Sequence, residues 1–93
     1  MKYFNRLGQK INYNQYIKLN TNKKYKIIEQ TNTKKYLFST VWIGLDNCIF
    51  ETMVFNNIKN KTAFADIYCE RYKTERASKI GHTKSIYTIL LKG

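Results

Sequence analysis

Residues 35 to 55 constrain this chain more than any other stretch. Lys35 to Leu45 is built of β-branched and aromatic residues, with Tyr36, Phe38, Thr40 and Trp42 alternating against Leu37, Val41, Ile43 and Leu45. Both faces are apolar, which is the pattern of a central strand. Asp46-Asn47 supplies turn chemistry and Cys48 to Phe55 returns as a second strand, so the pair predicts an antiparallel hairpin.

The rest of the chain reads as additions to that hairpin. With no proline and four glycines there is no linker, and no repeat or low-complexity tract stands out beyond a richness in Asn and Lys. Residues 3 to 12 read as an extended segment turning at Gly8, with Tyr3, Phe4 and Leu7 available to the core. Asn14 to Leu19 suits a short helix capped by Asn12 or Asn14, which brings Tyr13, Tyr16, Ile17 and Leu19 near one side. Lys24 to Thr33 alternates as a strand, with Tyr25, Ile27 and Glu29 on one face and Lys26, Ile28 and Gln30 on the other.

Beyond the hairpin, Asn56 to Thr62 is a polar loop, and Ala63 to Lys73 holds a strand around Ile67 to Tyr72, antiparallel to its predecessor. From Thr74 the period becomes helical, with Thr74 as N-cap and Glu75 in the first turn, where the helix dipole favours a carboxylate. Ala77, Ile80, Tyr87 and Leu91 share one apolar stripe of that helix. Residues 86 to 91 are apolar on all sides and suit either a buried last turn or a short final strand.

Ninety-three residues leave room for one core, so residues 1–93 are read as a single α+β domain. Its expected architecture is a small antiparallel sheet of three or four strands with a C-terminal helix packed on one face and a short N-terminal helix.

Charge is the strongest global feature. Seventeen Lys and Arg stand against six Asp and Glu, a net of +11. AT-rich codon usage explains Lys over Arg, but Asp and Glu also have AT-rich codons, so it does not explain the excess of bases. Residues 1 to 35 carry nine bases and one acid, whereas residues 36 to 55 carry no base and two acids, Asp46 and Glu51. Such an excess concentrates polyanions and points to an acidic partner.

No apolar run is long enough to span a bilayer, and the first ten residues lack a signal-peptide core, so the expected location is the cytoplasm without membrane attachment. Cys48 and Cys69 lack the further ligands of a metal site and are read as buried, reduced thiols. No cofactor or metal is expected.

Three segments carry a resemblance. Ser39-Thr40-Val41-Trp42-Ile43-Gly44-Leu45-Asp46, then Ile49-Phe50-Glu51-Thr52-Met53-Val54-Phe55, then Glu70-Arg71-Tyr72-Lys73-Thr74-Glu75 with Ala77 and Gly81-His82, resemble a family of small phage-encoded proteins. That family has the pattern STVWLGLD, IFETMVF, ERYST-E-A-GH, and the likeness covers about residues 36 to 82. Family members have a longer, Gly/Pro-containing loop between the first two motifs and are often acidic; here the loop shrinks to Asn47-Cys48 and the chain is basic. The resemblance implies a phage origin rather than a mechanism.

Two groups of residues are candidate sites. Lys18, Lys23, Lys24, Lys26, Lys34 and Lys35, interleaved with Tyr25 and Tyr36, have the composition of a surface that neutralises phosphates and stacks bases. Glu51, Arg71, Tyr72 and His82 could form a polar site for a phosphate, a nucleotide or a metal if the hairpin, the next strand and the helix converge; otherwise Glu51 and Arg71 make a cross-strand ion pair and His82 satisfies a neighbouring group.

No catalytic set is recognisable, so the expectation is a non-enzymatic phage accessory protein acting stoichiometrically in the host cytoplasm. On phage-likeness and size it reads as a counter-defence inhibitor of the anti-CRISPR kind, which engages a host nucleoprotein or its nucleic acid. A general nucleic-acid-binding protein and a small-ligand binder or cryptic enzyme are the alternatives. An exposed sheet edge could pair two copies.

Overall fold

The computed structural model describes residues 1–57 and 66–92, the side chains of Asp66 and Lys92 excepted. The hairpin forms as its sequence requires. Strand β4 (Tyr36–Leu45) pairs antiparallel with β5 (Cys48–Asn56), in register from Tyr36 opposite Asn56 to Trp42 opposite Phe50. The register shifts between Trp42 and Leu45, where Gly44 takes a φ of 78°. A side chain there would strike the Trp42 ring and the Phe4 carbonyl, so both conformation and space call for glycine.

Strand β6 (Asp66–Tyr72) pairs antiparallel with β5, and β3 (Ile27–Asn32) pairs antiparallel with the first half of β4. Two short strands, β1 (Tyr3–Phe4) and β2 (Lys10–Ile11), extend the sheet from the far end of β4 through Tyr3 opposite Leu45. The order is β2-β1-β4-β5-β6, with β3 also on β4. The fold is the expected α+β, its four long strands supplemented by the β1–β2 hairpin.

Helix α1 (Tyr13–Asn20) starts at Asn12, whose side chain accepts from the Gln15 N–H while Gln15 bonds back to the Asn12 N–H. A four-residue helix, α2 (Lys23–Lys26), occupies what the alternation predicts as the start of a strand. Asn22 caps it by accepting from the Tyr25 N–H, and that local bond overrides the period-two pattern. Leu7 is another departure: it is 82% exposed, because Asn5 Oδ1 accepts from the Leu7 and Gln9 N–H groups and closes a tight loop that leaves the side chain outside.

Helix α3 (Glu75–Lys92) is capped by Thr74, which accepts from the Ala77 N–H, and it runs unbroken through residues 86–91, so no final strand forms. It packs across β4, β5 and β6. Phe38, Trp42, Phe50 and Val54 are fully buried on that side of the sheet. Trp42 Nε1–H donates to the Phe4 carbonyl at 2.9 Å, and the rings of Tyr16 and Tyr25 close over the indole. Each of the large apolar side chains contributes about 1.5–3 kcal/mol by burial.

The stripe of Ala77, Ile80, Tyr87 and Leu91 is not the face that α3 buries. Ile80, Tyr87 and Leu91 are 63%, 62% and 79% exposed, while Ser78, Gly81, His82 and Ser85 are buried against the sheet. The reason is fit. Large rings already fill this sheet face, and only small residues let the helix approach: a Cβ on Gly81 would overlap the Tyr72 ring.

Candidate binding surfaces

Where α3 meets the sheet, four polar side chains form a chain of hydrogen bonds. Thr52 Oγ1 bonds Thr40 Oγ1, Thr40 Oγ1 lies 2.7 Å from His82 Nδ1, and His82 Nε2 lies 2.9 Å from Thr31 Oγ1. Thr40, Thr52 and His82 are wholly buried. A neutral imidazole has one donor and one acceptor, and a hydroxyl on each side satisfies both. Burial holds the His82 pKa below its usual 6.5, although Glu29, 3.9 Å from Nε2, pulls the other way. Three of the four members are closed off from solvent and only Thr31 is partly exposed, which suits a structural network rather than a site open to substrate.

The candidate polar site does not assemble. Arg71 and Tyr72 are neighbours on β6 and point to opposite faces of the sheet. Tyr72, opposite Phe50, lies against Gly81 of α3; its hydroxyl is buried near Thr52 without a hydrogen bond of good geometry. Glu51 and Arg71, opposite each other on the far face, form the cross-strand ion pair, Arg71 Nε to Glu51 Oε2 at 3.1 Å. His82 belongs to the α3 side, so the sheet separates the two halves of the set.

Cys48 is buried, and burial with the nearby Glu51 carboxylate pushes its thiol up to about 11, leaving it protonated at neutral pH and a weak nucleophile. Cys69 is exposed, contrary to the reading of two buried thiols. Among the described residues no three His, Cys, Asp or Glu side chains are grouped to hold a metal, and no helix is long and apolar enough to cross a membrane.

The candidate lysines fall into two groups. Lys18 closes α1 and Lys23, Lys24 and Lys26 lie in α2, whereas Lys34 and Lys35 form the turn between β3 and β4. β3 separates the groups by roughly 20 Å. All are exposed except the half-buried Lys26. The two tyrosines are engaged within the fold. Tyr25 packs edge-on to Trp42, carries the Arg6 guanidinium over its ring at 5.5 Å, and accepts the Arg6 N–H at its hydroxyl; Tyr36 packs on Phe38.

What the sequence reading missed is the outer face of α3, which links those two groups. At its start, Glu75 accepts two hydrogen bonds from Arg6, each 2.7 Å, and Arg6 also donates to the Tyr25 carbonyl in α2. At its end, Ile89 and Leu90 lie beside Lys35 and Tyr36. Eighteen residues at 1.5 Å make the helix about 27 Å long. Along its exposed side run Arg76, Lys79 and Lys84 together with Ile80, Tyr87 and Leu91, and a shallow groove lies between Lys79, Ile80, Lys84 and Tyr87. The signal is present in the sequence as the apolar stripe, which helical amphipathicity alone would turn toward the core and which the structure turns outward. No family model, curated protein or solved structure matches this chain.

Proposed function

We propose that this chain acts by stoichiometric binding, engaging an acidic host nucleoprotein through the outer face of α3 and the lysine groups at its two ends. The observation that carries this reading is the inverted helix: α3 buries Ser78, Gly81, His82 and Ser85 and turns Ile80, Tyr87 and Leu91 outward, among Arg76, Lys79 and Lys84. Apolar side chains on such a face favour a protein surface, and the surrounding bases favour one that is acidic or carries nucleic acid. A second copy of the same face would set lysine against lysine. The resemblance to small phage proteins supplies the setting, a counter-defence inhibitor of the anti-CRISPR kind that occupies a surface and catalyses nothing.

The general nucleic-acid-binding reading is favoured by one observation, the exposed Tyr87 ring on a basic face, where a base could stack. Affinity capture from host lysate, with and without nuclease and with Ile80→Asp and Tyr87→Asp variants, separates the two. A nucleoprotein that is retained by the wild type after nuclease and lost from both variants supports docking. Capture of nucleic acid alone, abolished by nuclease and steeply weakened by salt, replaces it with the second reading.

A further inference from the structure

We propose that the sheet face turned away from α3 is where two copies of this chain meet, sheet packed on sheet about a two-fold axis. Leu37 and Val41 of β4 and Met53 and Phe55 of β5 form its centre, each partly exposed, with Ile27 and Ile67 at the margins, 40% and 41% exposed. Among the described residues the helices lie on the other side: α3 meets it through Gly81 on Tyr72 and His82 on Thr40, α1 and α2 through Tyr16 and Tyr25 on Trp42. β4 is apolar on both faces, so the second face makes the same demand for cover as the first, and the three described helices meet only one of those demands.

Charge selects the occupant. Among the described side chains of β3 to β6, the charged residues on this face are Glu51 and Arg71, and they pair with each other. A chain of net +11 therefore has one broad face on which the described charges balance. A two-fold axis brings a patch against its own copy, so only a patch without net charge is compatible with itself. An acidic partner finds no uncompensated base here, unlike on the outer face of α3.

Size permits it as well. Four strands about 4.8 Å apart, each contributing about eight residues at 3.3 Å, project on the order of 500 Å². With side-chain relief, that approaches the ~800 Å² that each partner gives to a standard interface. Sheets packed in this way sit about 10 Å apart with their inner side chains interdigitated.

Sedimentation equilibrium of the full chain, over about 1 to 100 µM, tests this. The expected result is a mass twice the 11.1 kDa of one chain. Met53→Lys weakens self-association about tenfold or more, and so does Ile67→Lys at the exposed margin, where folding is not at stake. Near-UV circular dichroism from the buried Trp42 confirms that each variant is folded. Leu91→Lys, on the outer face of α3, leaves the mass doubled, which keeps this inference separate from the proposed function. A wild type at 11.1 kDa throughout overturns it, as does a dimer that survives both face substitutions, the behaviour of pairing through the β6 edge.

Discussion

The two sides of α3 reverse the usual assignment of polar and apolar residues. Over residues 78–85 the inner side, Ser78, Gly81, His82 and Ser85, has little hydrocarbon bulk and is buried, with bulk returning only at the partly buried Ile86 and Ile89; the outer side, Ile80, Tyr87 and Leu91, has the bulk and is exposed. Bulk alone would favour the opposite orientation. The inner face wins because helix and sheet bring partners for each other's polar groups while small side chains let the backbone come close, so the rings of Phe38, Phe50 and Tyr72 fill the space. Complementarity of shape and hydrogen bonding decides which face goes in, and the apolar remainder is left for a partner.

If that is why α3 sits as it does, the inner face should tolerate least. Gly81→Ala is the sharpest probe: helix propensity favours alanine by about 1 kcal/mol, but its Cβ overlaps the Tyr72 ring. The overlap, at the upper end of the usual ~1–3 kcal/mol, should dominate, with a net loss of about 2 kcal/mol. At about 4–8 °C per kcal/mol for a domain of this size, the melting temperature falls by roughly 8–16 °C. The same change made in a Tyr72→Ala background should cost little, and a full loss there would show that the close approach is not what seats the helix.

His82→Leu follows, costing about 1–3 kcal/mol at pH 8 because Thr40 and Thr31 lose their partner. It should also flatten the acid side of the stability curve. The His82 pKa in the fold lies below its ordinary 6.5, so the unfolded chain binds the proton more readily. Stability is then complete above that ordinary value and declines as pH falls below it toward the lower folded value. Denaturant melts from pH 8 to pH 5 should show the decline in the wild type and not in His82→Leu. Glu75 titrates further down: Arg6 and Lys79 hold its carboxyl below the usual 4.5, so its contribution is lost at still lower pH.

Least disruptive to the fold is the outer face. Ile80→Asp with Tyr87→Asp should shift stability by no more than about 0.5 kcal/mol by thermal melt while eliminating capture of the partner. A large loss of stability would mean that the outer stripe is part of the folded monomer's own packing, and the contrast between the two sides would collapse.

Much of the architecture was readable before any coordinates. The β4–β5 hairpin, the turn at Asp46-Asn47, the strand β6, the caps at Asn12 and Thr74 and the Glu51–Arg71 pair all follow from short-range chemistry or a strict period of two, which a linear sequence records directly. The α2 turn was hidden because one Asn22 hydrogen bond competes with an alternation that looked sufficient. Among the candidate sites, the lysines were visible as composition, but their division between the two ends of β3 was not, since charge in a sequence has no direction.

What the sequence alone determined is the central β4–β5 hairpin, the strand β6 beside it, the helices α1 and α3 with their caps and the excess of positive charge, because backbone hydrogen bonding and side-chain period are local properties. Only the tertiary structure decided which side of α3 faces the sheet, that Arg71 and Tyr72 part company across it, and that an apolar sheet face whose described charges pair with each other remains uncovered by the described helices. Each of these depends on which side chains happen to fit across a gap between segments far apart in the chain, and close packing settles that only once the segments meet.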